Sequence, residues 1–190
     1  MAKMILLTLP RSGSHLTAGI LKCNPAFTLK AYYKWIPEED VVKKIKTEKD
    51  IWFHYPYVES VRKALQESQQ DKYLLLRDPR AIIVSWAYYC EEPNSALDIY
   101  YDSKYLHEYP LKKRIDILID EVRDLIYDYE KWRQSGMFIV LRYRDILFNP
   151  LARTALTGFR LGVLGGYDDD MTYQQVKKCN SLYKNEIESW

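Results

Sequence analysis

The residues best suited to chemistry lie in one short stretch, Leu9-Pro10-Arg11-Ser12-Gly13-Ser14-His15, where an apolar run meets small residues and a single permanent cation. Met4 to Leu9 has strand length, Pro10 stops it, and Ser12-Gly13-Ser14 permits a tight turn into a helix running to about Lys22. Backbone N–H groups in such a turn, with the helix N-terminus behind them, converge on one spot and favour negative charge there. Arg11 adds a planar donor fork matched to a phosphate or sulfate. Taken alone, the stretch fits either an anion cradle or an ordinary strand-to-helix turn with an exposed arginine. It is not a Walker A loop, which needs a further glycine followed directly by Lys and Ser or Thr. Here His15 and Leu16 follow the central glycine.

The elements that must position such a site alternate strand with helix. Ile51-Trp52-Phe53 reads as a short strand ending at His54, and Lys72 to Leu76 as a buried strand that delivers Arg77 to its carboxyl end. Asp78-Pro79 then opens a helix to about Cys90, with an acceptor at the cap and proline in the first turn. Met137 to Leu141 is a further buried strand leading through Arg142-Tyr143-Arg144-Asp145 into a short helix. Between these lie a helix beginning at Pro37-Glu38-Glu39-Asp40, with Val41, Val42 and Ile45 as its apolar stripe, and an amphipathic helix from Val58 to Gln70. Ala26 to Trp35 is either a strand or an irregular aromatic wall. Ala96 to His107 is Tyr-rich and helical in pattern, and Leu111 to Arg133 reads as the longest helix, closed by Ser135-Gly136. Leu151 to Leu164 is expected to be helical, Gly165 to Asp170 a loop, and Thr172 to Trp190 a polar terminal helix. This alternation predicts a parallel α/β sheet, whose ligands sit outside the carboxyl ends of the strands. Those ends carry Pro10-Arg11, His54, Arg77 and Arg142-Tyr143.

Length and composition bound the rest. A chain of 190 residues is long enough for one domain with a sizeable core, and residues 1–190 are expected to form one. A net charge of +2, from 28 basic and 26 acidic side chains, supplies no global field to attract nucleic acid, so an anion site must be local. Cys23, Cys90 and Cys179 are odd in number and far apart, which signals neither a disulfide framework nor a zinc site and fits a reducing cytosol. The first apolar run is too short for a secretory segment, and no stretch reaches the ~20 apolar residues of a membrane span, so a soluble, cytoplasmic chain is expected.

Three motifs in order give the sequence a resemblance to the sulfotransferases that use 3′-phosphoadenosine 5′-phosphosulfate (PAPS). Leu9-Pro10-Arg11-Ser12-Gly13-Ser14 is similar to the family's 5′-phosphosulfate loop, Pro-Lys/Arg-Ser-Gly-Ser/Thr. Leu75-Leu76-Arg77-Asp78-Pro79-Arg80 through Ser85-Trp86 resembles the 3′-phosphate segment and is the most specific match. Val140-Leu141-Arg142-Tyr143-Arg144-Asp145 is similar to the strand ending in Tyr-Glu-Asp. The resemblance covers residues 4 to about 150. It implies a three-layer α/β/α fold with a central parallel sheet and a P-loop-like phosphosulfate-binding turn. It further implies sulfuryl transfer from PAPS to an acceptor hydroxyl or amine by in-line displacement, with PAP as product and no metal. Arg11 would steady charge on the bridging and sulfuryl oxygens, and Ser12, Gly13, Ser14 and His15 would hold the 5′-phosphate. Arg77 and Ser85 would clamp the 3′-phosphate, and Tyr143 would lie near the adenine. His54, just past its strand, is the candidate general base, since an imidazole titrates near working pH; some members use a carboxylate instead. The acceptor would be a small molecule, glycan or peptide, with Tyr32, Tyr33, Tyr55 and Tyr57 as candidate cleft residues. Arg80 reads as a solvated helix residue and His107 as a surface one.

The departures from the family pattern carry weight. Arg11 stands where many members have Lys, and Leu16 where the small-molecule branch has an aromatic. No Arg-Lys-Gly segment appears near the C-terminus, where Lys177, Lys178 or Lys184 are the available substitutes. The shorter chain points to a compact bacterial or viral type. Two other readings compete: a P-loop-type phosphotransferase using ATP, against which the missing Gly-Lys-Ser/Thr triplet argues, and a non-catalytic nucleotide-binding protein of the same fold.

Overall fold

The computed structural model describes residues 4–14, 16, 17, 20, 30–32, 37–91, 103–148 and 166–190. They group into two compact units, Met1–Leu76 with Asp128–Leu161, and Arg77–Tyr127 with Gly162–Trp190.

The first unit holds the sheet. Its strands are β1 (Met4–Thr8), β2 (Lys30–Tyr32), β3 (Asp50–Phe53), β4 (Asp71–Leu76) and β5 (Ile139–Arg142). They run in the order β2-β3-β1-β4-β5, every pair parallel. The unbroken apolar run Met4-Ile5-Leu6-Leu7 takes the central position and is fully buried, which is how a parallel strand covered on both faces should read. Each of those side chains contributes roughly 1.5–3 kcal/mol by burial. Leu7 stands opposite Phe53, Thr8 opposite Leu75, and Leu76 opposite Arg142, so the carboxyl ends of β3, β1, β4 and β5 lie side by side. The residues that follow them in the chain are His54, Leu9, Arg77 and Tyr143.

Helix α1 (Glu38–Thr47) carries acids in its first turn and lysines in its last, which suits the helix dipole, and buries Val41 and Ile45 one turn apart. Helix α2 (Glu59–Glu67) buries Val61, Ala64 and Leu65 but stops short of the expected Gln70. Gln70 has other work: its buried amide donates to the Glu48 and Lys49 carbonyls, both at 2.8 Å, and closes the approach to β3. The expectation that β5 is buried fails. It is an edge strand of the described sheet, and Ile139 is 56% exposed.

The second unit contains α3 (Pro79–Tyr89), a 3₁₀ segment (Ser103–Glu108) where α-helix was expected, α4 (Leu111–Glu121) and the start of α5 (Arg123–Gln134). The single long helix expected from Leu111 is thus two. Val122 takes φ −88, ψ 2, yet its N–H still reaches Leu118 O (3.2 Å) and Ile126 N–H reaches its carbonyl (3.0 Å), so the ladder bends without stopping. The bend accompanies burial of Ile115, Leu118 and Ile119 before it and Leu125, Ile126, Tyr129 and Trp132 after it. Beyond Gly166, the expected loop is a helical turn, α7 (Tyr167–Asp170). The terminal helix is α8 (Tyr173–Leu182) and α9 (Lys184–Ser189), divided at Tyr183. Tyr183 is fully buried and its hydroxyl donates to the Ile119 carbonyl, a demand that a solvent-facing polar helix would not make. The expected helix from Leu151 to Leu164 lies outside the described residues. No described helix is long and apolar enough to cross a membrane.

Candidate functional site

The turn after β1 is built by a conflict between residue types. Ser12 N–H closes on Leu9 O at 3.1 Å, with Pro10 second and Arg11 third in the turn. Arg11 has φ 65, the left-handed value that the third position of a type II turn demands and that glycine usually supplies. An arginine there costs roughly 1–2 kcal/mol, so the turn spends stability to place a fixed cation. Gly13 follows at φ +101, and a β-carbon on it would lie 2.2 Å from Tyr143 Cε2; only glycine lets the loop press onto that ring. Thr17 N–H then bonds Gly13 O at 3.0 Å, the first helical hydrogen bond. The amides of Gly13, Ser14 and Leu16 lie ahead of it, where a helix start attracts anions.

The two serines of the loop separate. The Ser12 side chain is fully buried and its Oγ has no hydrogen-bond partner among the described residues, a costly state that a bound anion or polar ligand would relieve. Ser14 points elsewhere: its hydroxyl donates to Thr8 Oγ1 at 2.9 Å. His15 lies outside the described residues. Gly13, Leu16, Ile20 and Tyr143 form one packed group, in which Tyr143 is 5% exposed and is the first residue of helix α6 (Tyr143–Leu147).

His54 is half-buried at the end of β3, with its ring set edge-on to Trp52 at 5.7 Å. Its Nδ1 lies 2.9 Å from Thr8 Oγ1 and in hydrogen-bonding contact with the Thr8 carbonyl. Thr8, fully buried at the end of β1, is the hub of this group, because Trp52 Nε1–H also donates to its Oγ1 (2.8 Å) and the Tyr129 hydroxyl donates to its carbonyl. Tyr129 accepts from Tyr55 N–H (3.3 Å), and Trp132, one turn on, donates Nε1–H to Tyr55 O (3.2 Å). Tyr57 packs on Trp132 at 4.5 Å between ring centroids. Burial, with Glu38 nearby, pushes the Tyr55 hydroxyl pKa up. Sequence reasoning missed Thr8 and Tyr129; a threonine closing a fully apolar strand is the one signal that was available.

In the second unit Arg77 and Ser85 are both half-buried, one before α3 and one within it. The Asp78 carboxylate caps α3 by accepting from Arg80 N–H at 2.8 Å. Arg80 is not the solvated residue expected. Its guanidinium grips the Asp78 carboxylate (2.6 Å), stacks over the Tyr167 ring at 4.4 Å and donates to Asn180 Oδ1 at 3.1 Å, tying the start of α3 to α7 and α8. Burial opposes its charge, but Asp78 outweighs that and raises its pKa. Tyr167 is raised by burial first and by Asp78 second. Of the candidate C-terminal cations, Lys178 pairs with Asp120 (2.5 Å), Lys184 lies 3.9 Å from Glu188, and Lys177 is exposed. His107 is exposed, as expected. Tyr33 lies outside the described residues, and of Tyr32 only the strand backbone is described.

No protein-family model matches the chain, and no curated protein matches it in sequence. In structure, mouse sulfotransferase SULT7A1 complexed with PAP matches all of this chain and 85% of its own, with a TM-score of 0.68 at 12% identity. The chain has the sulfotransferase fold, of the three-layer α/β/α class around a parallel sheet, as its three motifs led one to expect.

Proposed function

We propose that the chain is an enzyme that transfers a sulfuryl group from PAPS to an acceptor hydroxyl or amine, releasing PAP. One observation carries this reading. A turn at the carboxyl end of the central strand holds Arg11 in a left-handed backbone beside a buried Ser12 hydroxyl that has no partner among the described residues, and His54 is hydrogen-bonded to the residue that ends that strand. That hydroxyl, without a partner among the described residues, fits an anionic group. A PAP-bound neighbour of the same fold supports the nucleotide.

In this reading the nucleotide supplies an activated sulfuryl group. Arg11 neutralises charge growing on the bridging oxygen, and the amides from Gly13 to His15, with the Ser12 hydroxyl beside them, hold the 5′-phosphate. Arg77 and Ser85 clamp the 3′-phosphate, with Asp78 and Arg80 fixing the start of the helix that carries Ser85. Tyr143 shapes the floor of the loop near the adenine. His54 takes the proton as the acceptor oxygen bonds to sulfur and the bond from sulfur to the phosphate oxygen breaks, so the transition state is loose and positioning dominates. Lys177, exposed as Lys178 and Lys184 also are, is the candidate for the missing basic segment.

Thermal stabilisation by adenosine 3′,5′-bisphosphate, compared with AMP and with ATP and Mg²⁺, tests the clamp without knowledge of the acceptor. The bisphosphate is expected to stabilise most, and Arg77→Ala to erase its advantage over AMP. Arg11→Ala should slow transfer of labelled sulfate from PAPS to a panel of phenols, amines and sugars by ~10²–10³. Equal stabilisation by ATP and the bisphosphate would overturn the assignment in favour of a phosphotransferase.

A further inference from the structure

We infer that the Thr8 carbonyl, held by the Tyr129 hydroxyl, fixes the proton of neutral His54 on Nδ1 and so makes Nε2 its basic nitrogen. This inference rests on the reading of His54 as the general base, and it assigns Tyr129 as a positioning residue for that base.

Donors and acceptors around the imidazole decide its tautomer. A carbonyl oxygen only accepts, and an indole N–H only donates. His54 Nδ1 makes contact with two oxygens of one residue, the Thr8 carbonyl and Thr8 Oγ1. If Nδ1 were bare, its lone pair would face the lone pairs of the carbonyl across that contact. With the proton on Nδ1, the same contact is a hydrogen bond. Thr8 Oγ1 accepts from Trp52 Nε1–H and the Ser14 hydroxyl at 2.8 and 2.9 Å, so its own hydrogen competes for Nδ1; the carbonyl is the nearer of the two oxygens, and that closer contact decides for a proton on Nδ1. The carbonyl has room for two donors, and Nδ1–H and the Tyr129 hydroxyl fill it.

Tyr129 does more than share the acceptor. Its oxygen also accepts from Tyr55 N–H (3.3 Å), so one buried phenol links the carbonyl that His54 uses to the peptide immediately after His54. Trp132 holds the other end of Tyr55 through its carbonyl (3.2 Å). Helix α5 thereby presents two side chains one turn apart whose polar atoms are committed to the segment that aims the imidazole. Burial of aromatic area alone needs neither the phenol oxygen nor the indole nitrogen.

The test is the ¹⁵N tautomer signature of His54 in the full chain at neutral pH, from long-range proton–nitrogen correlation, alongside steady-state kinetics. The wild type should show Nδ1 protonated and Nε2 bare. Thr8→Val, which keeps the carbonyl and removes the hydroxyl, should retain that pattern. Tyr129→Phe should leave stabilisation by adenosine 3′,5′-bisphosphate and the KM for PAPS unchanged while lowering kcat roughly tenfold, the worth of one buried hydrogen bond. A wild-type His54 protonated on Nε2, or a Thr8→Val that switches the tautomer, overturns the inference; so does a Tyr129→Phe that loses nucleotide binding in step with kcat. The tautomer needs no turnover to be read. An inactive protein with Nδ1–H on His54 upholds this assignment and sinks sulfuryl transfer, whereas an active one with Nε2–H sinks this assignment alone.

Discussion

A β-carbon at position 13 meets the Tyr143 ring at 2.2 and 2.4 Å, and the backbone there stands at φ +101. Strain and overpacking therefore add, and Gly13→Ala is expected to cost about 2–4 kcal/mol in urea unfolding. Pairing it with Tyr143→Leu should recover the packing share and leave the backbone share, and an unchanged midpoint in the single variant would contradict the loop geometry. The residues of this turn were legible because proline, glycine and a lone arginine each impose local backbone or charge demands that spacing alone reveals. The Thr8 hub was not. Trp52, His54 and Tyr129 lie 44, 46 and 121 positions from Thr8, and no local pattern announces hydrogen bonds that only the fold brings together.

Elements were legible where their ends carry side-chain caps. Asp78-Pro79 predicted the start of α3, and the Asp78 carboxylate accepts from Arg80 N–H as it should. They were illegible where a tertiary contact breaks a continuous pattern, as at Val122 and Tyr183, both fully buried. The start of α8 shows how much one side chain can hold. Gln175 completes a capping box with Thr172, accepting from its N–H at 2.8 Å, and donates to Lys112 O (2.8 Å) and Asp116 Oδ1 (2.7 Å) on α4. Gln175→Ala strands these buried partners and should cost about 1–3 kcal/mol in thermal or urea unfolding. Gln175→Glu keeps the acceptor for Thr172 but sets a carboxylate against Asp116, so it should melt lower than the alanine variant. If it melts higher, the bridge to α4 is not what holds the helix.

For the molecule as a whole, alternation of strand and helix was enough to give the class of fold. The order β2-β3-β1-β4-β5 was not readable, since the strands are short and pairing depends on crossovers without a sequence signature. Global stability should respond to alkali in a defined way. Burial pushes the Cys179 thiol from 9.0 up to about 12, with Arg80 partly opposing, and burial likewise pushes up the Tyr183 phenol. A folded-state pKa above the unfolded one means the unfolded chain loses its proton first. Stability from Cys179 is therefore complete below about pH 9 and falls as pH rises toward 12. Melting temperature should drop across that window, and Cys179→Ala should flatten the slope even where it lowers the neutral-pH midpoint. An identical slope would mean the thiol is not buried in the folded chain.

The backbone of Arg11 has a consequence for how this protein can vary. Position 11 is screened twice, once by folding and once by charge. Glycine and asparagine satisfy the first screen and forfeit the second; lysine keeps the cation; valine, isoleucine and proline fail at the backbone before charge is ever weighed. Drift at this site is thus confined to a narrow corridor. A library randomised there would sort into well-folded silent variants, a small active set, and a poorly expressed remainder, with branching at the β-carbon marking the last class.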